Sequence, residues 1–335
     1  MINIISTCAN SPSISGPQKV YANLIKGLTK IGYPYVINKN HNATHRLWIH
    51  DDHIALKYLR KSKAFKVIGP NLFVLPDQIP KNISFDGALY LVPSEWVKKL
   101  WMHLGFSLCP IAVWPVGIDT DTFQLPAVRH HKVKLLIYHK QRNKDELTEI
   151  ISLLQCLQLP FQLIEYPLYQ ERDFLELLKC TSFVIWHGCH ESQGIALQEV
   201  LACNIPILVC DATTLLQQVP AQFDVSLAEF PVTSAPYFDE SCGVKITDIS
   251  FLKSAIEFML DNLKNFSPRK YVLKHLSLGD QAKAFVDLWE HWGLTFKMGL
   301  KEDAKNATAW RYSAFDRVLS NFIPRLMHKF KLGRK

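Results

Sequence analysis

Glu191 and Glu199 stand eight residues apart in the stretch SFVIWHGCHESQGIALQEVLACNIPILVCD, residues 182–211. Phe183 to Trp186 is a short apolar run that predicts a buried strand. Gly194 to Cys203, with Ile195, Leu197, Val200 and Leu201 apolar, predicts a helix that Asn204-Ile205-Pro206 stops before a second strand, Ile207 to Val209. The loop ahead of the helix (His187, Gly188, His190, Glu191, Ser192, Gln193, Gly194) is polar. It lies at the carboxyl end of a parallel strand, where ligands bind in open α/β sheets, and the helix start favours an anion. Glu191 in the loop and Glu199, about one and a half turns into the helix, reach different depths of one cleft, a pattern suited to the hydroxyls of a polyol. The alternative is a loop carboxylate and an exposed helix glutamate.

Two more loops carry the chemistry of an anion site. Ile2 to Ser6 predicts a strand, and Pro17 to Ile31 a helix with Val20, Tyr21, Leu24, Ile25 and Leu28 on its apolar face. Gly16 stands at the mouth of that helix, but neither G-x-G-x-x-G nor G-x-x-x-x-G-K-S/T is present, which weakens dinucleotide and Walker readings. After a strand from Val133 to Tyr138, Lys140, Arg142 and Lys144 place three cations at alternate positions. Arg holds phosphate oxygens bidentately and Lys acts as a point charge. His50 ends a strand, Leu47 to Ile49, and could face the cleft as a hydrogen-bond donor. His50, Asp51, Asp52 and His53 are adjacent, so they cannot all converge on one metal ion; Asp51 or Asp52 capping the next helix is the structural alternative.

These loops need strands and helices to hold them. At 335 residues and 48% apolar composition the chain can bury two cores. Strand–helix alternation fills both halves: further strands are expected at Tyr35 to Ile37, Lys66 to Gly69, Leu72 to Leu75, Ala88 to Val92, Ile111 to Trp114 and Gln162 to Glu165. Helices are expected from Ser94, a candidate N-cap, to Gly105, and over Asp145 to Leu157, Glu171 to Cys180, Thr213 to Gln218 and Phe251 to Leu263. One or two more fall between Ser267 and Trp292. The segment FPVTSAPYFDESCGVKI reads as loop. The pattern lapses near Pro126 and His130-His131-Lys132, dividing the chain into 1–125, 126–292 and a tail, 293–335. Two doubly wound, Rossmann-like α/β domains are the expectation.

No apolar run is long enough to span a bilayer, and the amino terminus MINIISTCANS lacks the features of a secretory signal. The cysteines form no C-x-x-C pair, and Cys156, Cys180, Cys203 and Cys210 sit in apolar contexts that suggest buried, reduced thiols. A cytoplasmic protein is expected. Of the net charge of +8, +7 falls from Thr295 onward, so the globular part is near neutral and a nucleic-acid partner is not expected. From Trp310 the tail mixes Trp310, Phe315, Val318, Leu319 and Phe322 with Arg and Lys. This reads either as a peripheral membrane contact or as a helix packed back on the protein with a basic end.

ESQGIALQE, together with SGPQKVYANLIKGL, PSEW and PVGIDTDTF in that order, resembles the retaining GT-B glycosyltransferases of the GT4 group over roughly residues 1–292. The resemblance implies a nucleotide sugar bound in an interdomain cleft, Glu191 facing the donor sugar with the amides of Gly194 and Ile195, and Glu199 on the ribose. Gly16 and two of Lys140, Arg142 and Lys144 would hold the diphosphate; the usual pair is an Arg and a Lys five residues apart, a spacing absent here. Loops at Glu165 to Leu168 and at Asp211 would meet the base. His50 matches a cleft histidine, and Ser192 and Gln193 replace a Gly-Phe pair near the sugar. The implied reaction transfers a sugar, with retention and without metal or other cofactor, to a glycan, lipid-linked or protein-linked acceptor. The alternatives are a related epimerase or phosphorylase, or an inactive nucleotide-sugar-binding protein.

Overall fold

The computed structural model describes residues 1–11, 15–39, 46–58, 65–70, 72–124, 134–217 and 227–302. Two parallel sheets organise them. The first contains β1 (Ile2–Ile5), β2 (Tyr35–Ile37), β3 (Arg46–Ile49), β4 (Phe65–Ile68), β5 (Ala88–Val92) and β6 (Ile111–Val113), in the order β2-β1-β3-β4-β5-β6. The second contains β7 (Leu135–Lys140), β8 (Phe161–Glu165), β9 (Phe183–Gly188), β10 (Ile207–Cys210) and β11 (Gly243–Ile246), in the order β11-β10-β9-β7-β8. The central strands are buried throughout and mostly apolar because both faces are covered by helices. The helices are α1 (Gly16–Lys30), α2 (His53–Tyr58), α3 (Glu95–His103), α4 (Lys144–Cys156), α5 (Glu171–Lys179), α6 (Ile195–Ala202), α7 (Leu252–Asn262), α8 (Pro268–His275) and α9 (Leu278–Glu302).

Strand order reverses between β1 and β3 in the first sheet and between β7 and β9 in the second. At such a switch point the loops leave in opposite directions and open a crevice. The α1 loop leaves the first of these points. The β7 and β9 loops leave the second, in a register that pairs His139 with His187 and Lys140 with Gly188.

The chain crosses between domains twice. Trp114 and Val116 belong to the first core, with β1 and α1, whereas Ile118 belongs to the second. On the return, Leu276 is in the second core and Ala282, Phe285 and Trp289 are in the first. The crossings touch: the Ile118 amide donates to the Leu276 carbonyl at 2.7 Å. Helix α9 lies against α1 so closely that a Cβ on Gly27 would meet the Leu278 carbonyl oxygen at 2.6 Å. Arg46 and Tyr33 bind Glu290 on the other flank. The sequence division placed residues through 292 in the second domain, but the aromatic face of α9 completes the first.

Other expectations need correction. Leu72 to Leu75 joins no sheet among the described residues; it is a loop whose Phe73 amide donates to the Tyr90 hydroxyl. Within the supposed loop after Phe230, Gly243–Ile246 forms the edge strand β11, which runs parallel to β10. Only a short 3-10 turn, Leu215–Gln217, is described where a helix was expected near Thr213. Ser94 holds the N-cap position of α3 without a side-chain capping bond, whereas Ser15 caps α1. Cys156 and Cys180 are exposed, because each stands at the open end of a helix; Cys203 and Cys210 are buried. Among the described residues no helix is long and apolar enough to cross a membrane. The basic run from Trp310 lies outside the described residues.

Trp289 is fully buried against Phe65 and Phe285. Trp289→Ala is expected to destabilise the protein by about 3–5 kcal/mol in urea unfolding; an exposed, unpacked α9 would give a change below about 0.5 kcal/mol.

Candidate functional site

The carboxyl edges of the two sheets face each other across a cleft of about 850 Å³. Gly16 and Trp96 line it from the first domain; Lys140, Tyr166, Glu191 and Gly194 line it from the second.

The Glu191 loop is fixed by its backbone. Gly194 adopts φ 79°, ψ 48° as the N-cap of α6, a left-handed conformation that a side chain would strain. The Glu191 amide donates to Thr233 O at 3.0 Å, and its carbonyl accepts from the Trp96 indole at 2.9 Å. The side chain is then free to meet Lys140, whose Nζ lies 2.7 Å from Glu191 Oε1 and 4.8 Å from the centre of the Tyr166 ring. Burial disfavours the Lys140 ammonium, but Glu191 outweighs it, and the pKa is raised. Lys140 is thus a fixed cation at the β7/β9 switch point.

The three cations of the β7 loop do not converge. An extended chain would put Lys140 and Arg142 on one side, but Gln141 between them has φ 52° and reverses the path. Arg142 turns away into a separate pocket of about 210 Å³ that includes Asp211 and Asp248. There it donates to Glu146 at 2.8 Å and approaches the Cys210 carbonyl at 3.5 Å. His187 also contacts Glu146, at 2.9 Å, and pairs through Nδ1 with His139 at 3.0 Å. The His187 contact, ahead of Arg142, holds the Glu146 carboxyl down to about 2. Lys144 is exposed on the first turn of α4 and lines neither cavity.

Lys19 supplies the second cleft cation. It sits on α1 three residues after Gly16 and so on the same helix face, the signal by which sequence reasoning could have found it. Its Nζ binds both oxygens of Glu199, at 2.6 and 2.7 Å, and reaches Glu171 at 2.9 Å. Glu199 is 2% exposed on α6, buried behind Lys19, which lines the cleft. Burial pushes its carboxyl up to about 7 against the pull of Lys19, and Glu171 adds to the rise.

Gln193 is 4% exposed and its carboxamide faces the interdomain crossing. Oε1 accepts from the Val116 amide at 3.0 Å; Nε2 donates to the Val116 carbonyl at 2.8 Å and to Gln198 Oε1 at 3.1 Å. Ser192 is exposed on the cleft wall, and Ile195 packs against both cores. His50, expected in the cleft, is fully buried at the end of β3, its ring tilted against Trp48 and 3.3 Å from the Ser6 hydroxyl through Nδ1. Asp52, not His50, engages the next helix, accepting from the amides of Ile54 and Ala55 at 3.1 Å. Among the described residues no cluster of His, Cys, Asp and Glu could hold a metal ion.

Two stability predictions follow from burial. His50 is held down to about 3 by desolvation, whereas a free imidazole takes up its proton near 6.5. The unfolded chain therefore binds the proton first, and stability is lost as pH falls from 6.5 toward 3, by up to about 1.4 kcal/mol per unit from this group. His50→Gln is expected to flatten that slope in denaturant titrations; an unchanged slope would place the loss elsewhere. Lys19→Met leaves Glu199 buried without its cation, at a cost of about 3–5 kcal/mol. The raised acid makes the loss larger at pH 8 than at pH 6, and Glu199→Gln in the same background restores most of it. A loss equal at both pH values would contradict this account.

No family model matches the sequence, and no curated protein matches it. Solved structures do resemble it. Sucrose-phosphate synthase from Thermosynechococcus elongatus aligns over 87% of this chain and 98% of its own, with TM-score 0.55 and 11% identity. HepE from Anabaena, in complex with UDP, aligns over 87% and 99%, with TM-score 0.54 and 9% identity. The lipopolysaccharide outer core galactosyltransferase WaaB aligns over 85% and 98%, with TM-score 0.51 and 10% identity. The two parallel sheets, the facing switch points and this similarity over most of both chains show that the protein has the two-domain GT-B fold.

Proposed function

We propose that the protein is a retaining glycosyltransferase that uses a nucleotide sugar and no metal ion. The observation that carries this reading is the Lys140–Glu191 pair, which stands at the β7/β9 switch point beside the left-handed Gly194 and faces the mouth of α1. Similarity to a sucrose-phosphate synthase, to a galactosyltransferase and to a protein bound to UDP supports it.

In this reading the donor diphosphate lies between Lys140 and Lys19, with the first amides of α1 at Gly16 adding positive potential. Arg142 turns away from the cleft, so the cation pair is drawn from two domains rather than from one loop. Glu199 accepts from the ribose hydroxyls, and Glu191 faces the donor sugar with the amides of Gly194 and Ile195. Tyr166 borders the base. The bond from the anomeric carbon to phosphate breaks, and the acceptor oxygen bonds that carbon from the same face. The acceptor proton passes to the departing phosphate oxygen. The negative charge gathering on the nucleoside diphosphate is met by two lysines already in place, so a metal is not required. His50 takes no part as a proton carrier: it is buried, neutral and outside the cleft wall.

Thermal-shift titration against UDP-, GDP- and dTDP-sugars in EDTA is expected to show stabilisation by one nucleotide class, followed by transfer or slow donor hydrolysis. Lys140→Met should weaken nucleotide diphosphate binding by about 10- to 100-fold, the loss of a charged hydrogen bond. Glu191→Ala should cut turnover by more than about 100-fold while sparing nucleotide affinity. Full activity in Glu191→Ala would remove the site assignment, and strict dependence on a divalent cation would remove the metal-free chemistry.

A further inference from the structure

The two walls of the cleft differ in chemistry. The second-domain wall carries Lys140, Glu191 and the hydroxyls of Tyr166 and Tyr169. Beyond the mouth of α1, the first-domain wall is built from Phe73, Val74, Leu75, Trp96, Val97 and Leu100, and no charged side chain lines it among the described residues. Val74 is 66% exposed and Phe73, Leu75 and Trp96 are half-buried, so these four carry the part of the wall open to a ligand, with Val97 and Leu100 buried beneath them.

The polar side-chain atoms in this wall are already committed. The Trp96 indole donates to the Glu191 carbonyl at 2.9 Å, and the Trp101 indole to the Val74 carbonyl at 3.3 Å. The Tyr90 hydroxyl accepts from the Phe73 amide at 3.2 Å. A saccharide seated here would give up water at several hydroxyls and find no side-chain partner in return, a net cost for each buried group. Some ring surface is also in use: Tyr90 stacks on Trp101 at 4.4 Å, and Trp96 and His190 meet in a T-shaped contact at 5.4 Å. The most open part of the wall, Val74 and Leu75, is branched aliphatic surface, which matches a flexible chain better than a planar ring. Trp96 ties this surface directly to Glu191, so an occupant of the wall ends beside the proposed transfer site.

We infer that the first-domain wall takes the aliphatic portion of a lipid-linked acceptor, with the acceptor's hydroxyl head directed at Glu191. This rests on the transferase reading for its place in the reaction, but the chemistry of the wall can be tested separately. The probes are methyl, octyl and phenyl β-glucosides below their micellar concentrations, titrated into the full-length protein by calorimetry and tryptophan fluorescence. Octyl glucoside should bind at least tenfold more tightly than methyl glucoside, since each buried methylene contributes up to about fourfold. Val74→Asp and Leu75→Asp, both at accessible positions, should each bring octyl affinity at least fivefold closer to that of methyl glucoside. UDP, GDP and dTDP affinities should be unchanged in both variants. Equal affinity for the methyl and octyl forms, or octyl binding indifferent to both substitutions, would overturn the inference. Phenyl glucoside binding as tightly as octyl would overturn its aliphatic assignment. A wild-type protein that binds octyl glucoside in this way but no nucleotide would strike the transferase reading and leave the apolar subsite standing.

Discussion

The arrangement of the cleft depends on one buried carboxamide. Gln193 exchanges two hydrogen bonds with the main chain of Val116, at 3.0 and 2.8 Å, as a neighbouring strand would. Val116 is the last residue of the first core before the chain crosses, and Gln193 is the residue before the left-handed Gly194. The contact therefore sets where the Glu191 loop and α6 begin relative to the first domain. Each of these atoms would cost about 1–3 kcal/mol if left buried and unpaired, so the loop has little freedom to slide. Once it is seated, the Glu191 carbonyl falls under the Trp96 indole and the Glu191 carboxylate under Lys140.

Apolar packing supports the same geometry from behind the cleft. The two crossings share a hydrogen bond between Ile118 and Leu276, and α9 then returns its aromatic face to the first core. A chain that ended after α8 would leave Val20, Leu24 and Leu28 of α1 without their neighbours on α9. Since α1 carries both Gly16 and Lys19, the helix that closes the first core also holds one side of the proposed diphosphate site. Arg269 ties the end of the crossing to the second domain by donating to the carbonyls of Thr120, Phe123 and Ala202.

Much of this was legible in the sequence because the central strands are unbroken apolar runs punctuated by Gly, Pro and Asn, and the helices keep a clear period. The Glu191 to Glu199 stretch was legible for the same reason: strand, turn and helix are local. The failures share a cause. β11 is a four-residue edge strand with one half-buried and one exposed position, so its pattern carries little signal, whereas Phe73 to Leu75 are apolar because they wall the cleft and not because they pair. The Lys19–Glu199 contact joins residues 180 apart, and no spacing rule reaches that far. Arg142 was misdirected by a single backbone dihedral at Gln141. Gln193 reads as a loop polar group and is instead part of the interdomain joint.

The cleft is charged on one side and apolar on the other, and this division bears on how it could work. Lys19 already satisfies Glu199 and Glu171, so a donor whose ribose reaches Glu199 exchanges one set of hydrogen bonds for another and gains little from that contact alone. On the proposed reading the net attraction comes from the diphosphate, placed against Lys140 and the α1 amides, the group whose charge would grow during transfer. In the same reading, the apolar wall would bind the acceptor without competing for those cations. With the two kinds of binding separated in this way, the acceptor would draw on neither lysine. The separation also fits a site in which the Lys140 ammonium is held by one carboxylate, Glu191, the residue proposed to face the donor sugar.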